Sequence, residues 1–224
     1  MKKKMNIAID GPAGAGKSTV AKLVAEQLSY LYIDTGAMYR ALTLAALREG
    51  IDLQDGPALT EILSKTTIHL QHEQSGVRVL LNNEDVTEAI RMKDVTSNVS
   101  LVSSHEGVRL EMVERQRKLA EKGGAVLDGR DIGTYVLPDA KVKVFLTASV
   151  DERARRRYEE QRKKGIPADF DQLKEEIARR DQLDSTREFA PLKKADDAVE
   201  IDSTSLTIPE VAKSIIELAK ERAR

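Results

Sequence analysis

The sequence predicts an α/β fold of βαβα plan, and three observations carry that prediction. An apolar run stops at an acid, crosses a glycine-rich loop and enters a helix within residues 7–19. The same pattern, an apolar run ending in an acid and glycine, recurs near residues 31–36 and 125–133. Segments between these runs space their apolar residues at helical intervals. A chain of 224 residues accommodates one such domain with an inserted or appended lobe and buries a substantial core.

The first stretch, IAIDGPAGAGKST, places Gly11, four spacers, then Gly16, Lys17 and Ser18, which matches the phosphate-binding P-loop pattern without a mismatch. An ordinary glycine turn is the alternative, but the strand before and the helix after are the context the motif demands. The loop Gly11, Pro12, Ala13, Gly14, Ala15, Gly16, Lys17, Ser18 and Thr19 is therefore expected to hold the phosphates of ATP. Lys17 would reach the β/γ-phosphates, and the Ser18 hydroxyl would complete a Mg²⁺ shell. The helix over residues 18–27, with apolar Val20, Leu23, Val24 and Leu28, adds the positive end of its dipole.

A strand at 31–33 then leads through Asp34, Thr35 and Gly36 to a helix from about 38 to 49. Ligands of open α/β sheets lie at the carboxyl ends of strands, so DTGAMYR, with Arg40, is expected at a phosphate site. Over residues 66–90 the period becomes two, with turn residues 73–76, which predicts a small antiparallel hairpin unit. His69 and His72 in it read as surface histidines, since no third ligand accompanies them. Residues 95–122 hold a long helix with Val108, Met112, Val113 and Leu119 on its apolar face and Arg109, Arg115, Arg117 and Lys118 elsewhere.

Residues 125–127 form a short strand tipped by DGRDIG, in which Asp128 is the natural partner of the magnesium, through water. Glycine follows it where water-activating ATPases commonly place glutamate, so the site reads as built to avoid hydrolysis. A strand at 142–146 precedes a helix capped by Ser149 with Glu152. That helix carries Arg153, Arg156 and Arg157 on one face and ends at Gly165 and Pro167, which reads as a mobile lid; a plain solvated charge run is the alternative. A second helix, 171 to about 182, delivers Arg179, Arg180, Asp181, Asp184 and Arg187 into a loop. A last strand at 198–201 is followed by a helix with a Thr207/Glu210 capping box.

Arg40, Arg130, Arg180 and Arg187 exceed what a magnesium triphosphate needs, which implies a second anion beside the first. A phosphate monoester there is already a nucleophile and needs no general base. A hydroxyl acceptor would want one, and Asp34 or Asp131 could be pressed into that role.

GPAGAGKST, DTGAMYR, DGRDIGT and RRDQLDSTR, in this order and with the hairpin insert, resemble the bacterial cytidylate kinase family from residue 7 to about 218. The resemblance implies a P-loop fold with a five-stranded parallel core sheet, helices on both faces, a nucleoside-monophosphate lobe containing the β insert, and a helical lid. It implies one domain over 1–224, with core at 1–34, 95–150 and 188–224, lobe at 35–94 and lid at 151–187. It implies transfer of the ATP γ-phosphoryl to CMP or dCMP with Mg²⁺. Thr35, Arg40, Arg130 and Arg187 would surround the acceptor phosphate, Arg180 and Asp184 the ribose, and Ser100, Arg109 and Asp131 the cytosine edge. Lys17, Arg130, Arg187 and the lid residues Arg153, Arg156 and Arg157 would be catalytic. Thr35 stands where serine also serves in the family, and Ser18 where some members have glycine.

A net charge of −1 with few aromatics argues against nucleic-acid binding, and no apolar stretch suffices to span a bilayer. With no cysteine, the expectation is a cytoplasmic monomer whose partners are small nucleotides. Rival readings are a P-loop kinase for UMP, AMP or a hydroxy acid, and a nucleotide-operated switch or RNA-dependent ATPase. A GTPase switch normally carries D-x-x-G and N-K-x-D elements, and the sequence contains neither.

Overall fold

The computed structural model describes residues 4–73 and 76–223. The hairpin-turn residues Gln74 and Ser75 and the first three residues of the basic start lie outside the described residues. The chain divides into two compact units, Met1–Tyr32 with Lys122–Arg224, and Ile33–Glu121. The sequence reading returns to the core at residue 95, whereas this second unit continues to Glu121.

A five-stranded sheet has the order β2-β6-β1-β7-β8, built from β1 (Ile7–Asp10), β2 (Leu31–Asp34), β6 (Ala125–Gly129), β7 (Val142–Thr147) and β8 (Val199–Asp202). Strand β1 pairs in parallel with β6 on one side and β7 on the other, and β7 pairs in parallel with β8. The β1 residues are buried throughout, as expected for a strand covered on both faces, and this explains their unbroken apolar run. Connections leave β1 towards β6 and then return to β7 on its far side, so β1 ends at a topological switch point. The glycine loop occupies that end.

Helix α1 (Lys17–Leu28) buries Val20, Ala21, Val24 and Ala25 and packs against β6 and α8 (Ile208–Arg222). The start of α8 is the expected capping box: Thr207 Oγ1 accepts from the Glu210 N–H, and the Glu210 carboxylate accepts from the Thr207 N–H at 2.8 Å. Helices α6 (Val150–Lys163) and α7 (Phe170–Thr186) pack on each other, with Ser149 capping the first and Asp169 the second. The expected end of the second helix at 182 is too early, because its hydrogen-bonded turns run on to Thr186 and put Asp184 on the helix.

The second unit contains α2 (Thr35–Arg48), α3 (Gly56–Lys65), α4 (Lys93–Val102) and α5 (Glu106–Ala120) with a three-stranded antiparallel sheet, β3 (Ile68–Glu73), β4 (Gly76–Leu81) and β5 (Glu84–Asp85). Helix α2 begins earlier than expected because the Asp34 side chain accepts from Ala37 N–H at 2.7 Å and caps it. The expected single helix within 95–122 is preceded by a separate α4. At the break, the Ser103 and Ser104 hydroxyls donate back to the carbonyls of Ser100 and Leu101, the local competition by which serine ends helices. Leu119, expected on the apolar face, is exposed, while His69 and His72 are surface residues as expected.

Met112 on α5 is completely buried. Met112→Ala is predicted to lower the unfolding free energy by about 2–5 kcal/mol, measured by urea denaturation.

Candidate active site

The loop between β1 and α1 is fixed by close backbone approach. A Cβ on Gly11 would lie 2.0 Å from the Leu146 carbonyl oxygen, and the residue has φ +146°, so only glycine fits. Gly14 has φ +79°, and a Cβ on it would lie 3.1 Å from the Cβ of Arg153. Three loop carbonyls are held by side chains: Pro12 accepts from Lys17 Nζ at 2.7 Å, Ala13 from Arg153 Nη1 at 3.0 Å, and Ala15 from Ser203 Oγ at 3.2 Å. Gly16 at the N-cap of α1 offers no side chain to satisfy the first helical N–H groups, so these remain for an anion.

At the first turn of α1, Ser18 Oγ donates to Asp128 Oδ2 at 2.7 Å, and Tyr32 Oη donates to Asp128 Oδ1 at 2.8 Å. One hydroxyl and one carboxylate suit Mg²⁺, which takes one or two protein oxygens and completes its octahedron with phosphate and water. Among the described residues no group of three or more acids or histidines could hold a metal by itself.

The residues after β6 and along α7 form a charge network within the same unit. Arg130 Nε donates to Asp184 Oδ2 at 2.8 Å. Arg187 donates from Nε to the Ala190 carbonyl at 2.7 Å and pairs with Asp131 at 3.4 Å. Burial would raise the Asp184 carboxyl, but Arg130 and Arg180 outweigh it and hold it below the usual range. Lys17, itself buried, is driven well below the ordinary lysine range by desolvation first, and then by the positive charge of Arg130 and of Arg180. Lys17, Arg130 and Arg180 thus act on one another at the mouth of the glycine loop.

The three α6 arginines expected to be catalytic occupy different surroundings. Arg153 is buried, with Nε on the Ala148 carbonyl and Nη1 on Ala13 and on Asp181. Arg156 donates to the Ser203 carbonyl at 2.6 Å and pairs with Glu152 at 2.8 Å. Arg157 is exposed. In the second unit, Arg40 pairs with Asp34 at 3.4 Å and Thr35 is buried at the start of α2. Arg109 is 1% exposed, donates to the Ser103 carbonyl at 3.1 Å, and lies 5.4 Å over the Tyr39 ring. Ser100 is half-buried on α4, whose last turns adjoin Ser103.

A model of the cytidylate kinase family matches residues 7–221. The chain belongs to that family. It is similar to the cytidylate kinase of Bacillus pumilus (strain SAFR-032), 64% identical over 98% of this chain and 97% of that one. It is 61% identical to the cytidylate kinase of Bacillus velezensis (strain DSM 23117 / BGSC 10A6 / LMG 26770 / FZB42) over the full length of both. Among solved structures, an uncharacterised protein from Eubacterium ventriosum ATCC 27560 has the same fold, with TM-score 0.52, 16% identity and coverage of 98% of this chain and 99% of that one. Family membership makes the chain an enzyme, a kinase with ATP as phosphoryl donor.

Asp10, Tyr32 and Ser203 touch the site without having been expected there, and Asp181, expected only in the loop after the second lid helix, touches it too. Asp10 was visible only as the acid that ends a strand. Its carboxylate accepts from the N–H groups of Ile132 at 2.8 Å and Gly133 at 2.7 Å, which ties the end of β1 to a π-helical turn, Ile132–Val136. Burial pushes the Asp10 carboxyl up from its ordinary 3.8 to about 7, although both N–H groups oppose the shift. Between those limits the folded state binds more protons than the unfolded one, so this site's contribution to stability falls as pH rises. Asp10→Asn is predicted to remove that slope. The difference in unfolding free energy between wild type and variant should change by about 1.4 kcal/mol per pH unit between pH 4 and 7, read from urea denaturation.

Proposed function

We propose that this chain transfers the γ-phosphoryl group of ATP in line to the 5′-phosphate of CMP or dCMP, giving CDP or dCDP, with Mg²⁺, as a monomeric cytoplasmic enzyme. The full-length match to cytidylate kinases supports the substrate class. The structural observation that carries the reading is the crowding of Lys17, Arg130 and Arg180, which depress the Lys17 ammonium by mutual repulsion as well as burial. Such a group of cations is stabilised by anions, and a triphosphate together with a monophosphate supplies them.

In this reading the residues 11–19 cradle the donor phosphates, and Lys17 exchanges the Pro12 carbonyl for phosphate oxygens. Ser18 and, through water, Asp128 would hold Mg²⁺, which would offset charge on the donor phosphates. Arg130 and Arg187 bind the acceptor phosphate, a role that the family resemblance gives to Thr35 and Arg40 as well. Asp184 and Arg180 meet the ribose. The family resemblance gives cytosine recognition to Ser100, Arg109 and Asp131, and the N4 donor and N3 and O2 acceptors of that base match an acid and an arginine. An acceptor phosphate oxygen, ionised at neutral pH and so in need of no general base, attacks the γ-phosphorus as the bond to the β,γ-bridging oxygen breaks and ADP leaves. Helices α6 and α7 with their connection 164–169 form the lid, which excludes water, and Arg157, already exposed, reaches the transferring group. Glycine at 129 leaves Asp128 without a neighbouring carboxylate to activate water.

No helix among the described residues is long and apolar enough to cross a membrane, which is compatible with the cytoplasmic assignment.

Purified protein with ATP and Mg²⁺ is predicted to form CDP from CMP and dCDP from dCMP at least tenfold faster, in kcat/KM, than it phosphorylates UMP, AMP or shikimate. Absence of CDP would end the proposal. Arg130→Ala is predicted to raise the KM for CMP more than tenfold while changing that for ATP by less than about threefold, measured by coupled steady-state kinetics.

A further inference from the structure

Resting on the kinase reading, we infer that Asp181 is a positioning residue for the donor-phosphate loop, acting through Arg153 on the peptide that joins Ala13 to Gly14. Asp181 lies on α7 between Arg180 and Asp184, among residues assigned to the acceptor, and nothing in its sequence position suggests a donor role. Its geometry does. Asp181 Oδ2 pairs with Arg153 Nη1 at 2.6 Å, and the same Nη1 donates to the Ala13 carbonyl at 3.0 Å. Arg153 Nε donates to the Ala148 carbonyl at 2.9 Å, so the guanidinium has one orientation, set by two carbonyls and one carboxylate.

The consequence follows from peptide planarity. Among the described residues no peptide is cis, and in a trans peptide the C=O and the following N–H point to opposite sides. Holding the Ala13 carbonyl on Arg153 therefore turns the Gly14 N–H away from α6, towards the inside of the glycine loop. Gly14, at φ +79°, has no side chain to restrain its backbone, and a Cβ there would lie 3.1 Å from the Arg153 Cβ. An N–H aimed in advance at an oxyanion needs no reorganisation when the phosphate arrives.

Arg153 is 4% exposed, and a guanidinium so buried depends on its counter-charge. Asp181 supplies it. With an amide in that place the guanidinium is left with carbonyl dipoles alone and turns towards water, which releases the Ala13 carbonyl and lets the 13–14 peptide rotate. Asp181 Oδ1 is buried and makes no hydrogen bond among the described residues, so Arg153 is the side chain through which the carboxylate acts. One helical turn later Asp184 holds Arg130, so a single helix, α7, reaches both the donor loop and the acceptor arginine.

The test is calorimetric titration of the full chain with a non-hydrolysable ATP analogue and Mg²⁺, and separately with CMP. Asp181→Asn is expected to weaken the analogue about tenfold or more while CMP affinity stays within threefold. Asp181→Glu, which keeps the charge, is expected to recover at least half of the loss in binding free energy. In an Arg153→Ala background Asp181→Asn should have no further effect on the analogue beyond twofold. Analogue affinity within twofold of wild type for folded Asp181→Asn, or equal losses for analogue and CMP, would overturn the inference, as would a full additional loss in the Arg153→Ala background. If Asp181→Asn does not fold, Asp181→Glu is read alone: a loss confined to the analogue supports the inference, and no loss or an equal loss for CMP overturns it. These titrations need no phosphoryl transfer, so wild-type protein that binds the analogue but makes no CDP would refute the kinase reading and leave this one standing.

Discussion

The organising constraint is like-charge crowding. Lys17 is buried at the end of a glycine loop, with the guanidinium groups of Arg130 and Arg180 close enough to depress its ammonium further than burial alone. Cations do not gather in a desolvated place without something to balance them, since at low dielectric their repulsion amounts to several kcal/mol. In the protein by itself the balance comes from carboxylates and carbonyls, and the arrangement of those acids explains most of what surrounds the loop.

Each acid is assigned to one mobile or functional element. Asp128 faces Ser18 at the start of α1, Asp184 faces Arg130, Asp131 faces Arg187, and Asp181 faces Arg153. Carboxylates next to arginines keep the cations in place without neutralising the region permanently, because an arriving phosphate competes for the same donors. The glycine loop meanwhile is shaped from outside. Leu146 fills the space a side chain at position 11 would need, while Arg153 and Ser203 hold two of the loop's carbonyls.

Much of this was legible in the chain. Strands β1, β2 and β6 of the large sheet are short apolar runs leading to an acid, and the glycine loop has a spacing dictated by phosphate size. Element ends were less legible, for local reasons. Thr35 and Gly36 look like loop residues until Asp34 is seen to cap them into α2. Helix α3 was missed because only Leu59, Ile62 and Leu63 in it are buried, although Asp55 before Gly56 and Pro57 was a usable start signal. Strand β5, two acidic residues long, has no sequence signature at all. Arg109 shows the limit of periodicity: its charge puts it on a polar face in any amphipathic count, yet it is buried against Tyr39. The resemblance to a family, not the spacing, pointed to its importance. Asp10 and Asp181 were opaque for a different reason, since both act through partners more than 20 residues away in sequence, and single-residue patterns carry no pairing information.

The Asp10 carboxylate bridging β1 to the turn at Ile132–Val136 bears on how the protein opens locally. Amides outside regular strands ordinarily exchange with solvent deuterium through small fluctuations. Those of Ile132 and Gly133 instead donate to a side chain anchored in the central strand, so their exchange requires that strand's end to come apart. They belong to the slow-exchanging heart of the protein, and the loop that carries Arg130 and Asp131 is as persistent as the sheet it follows.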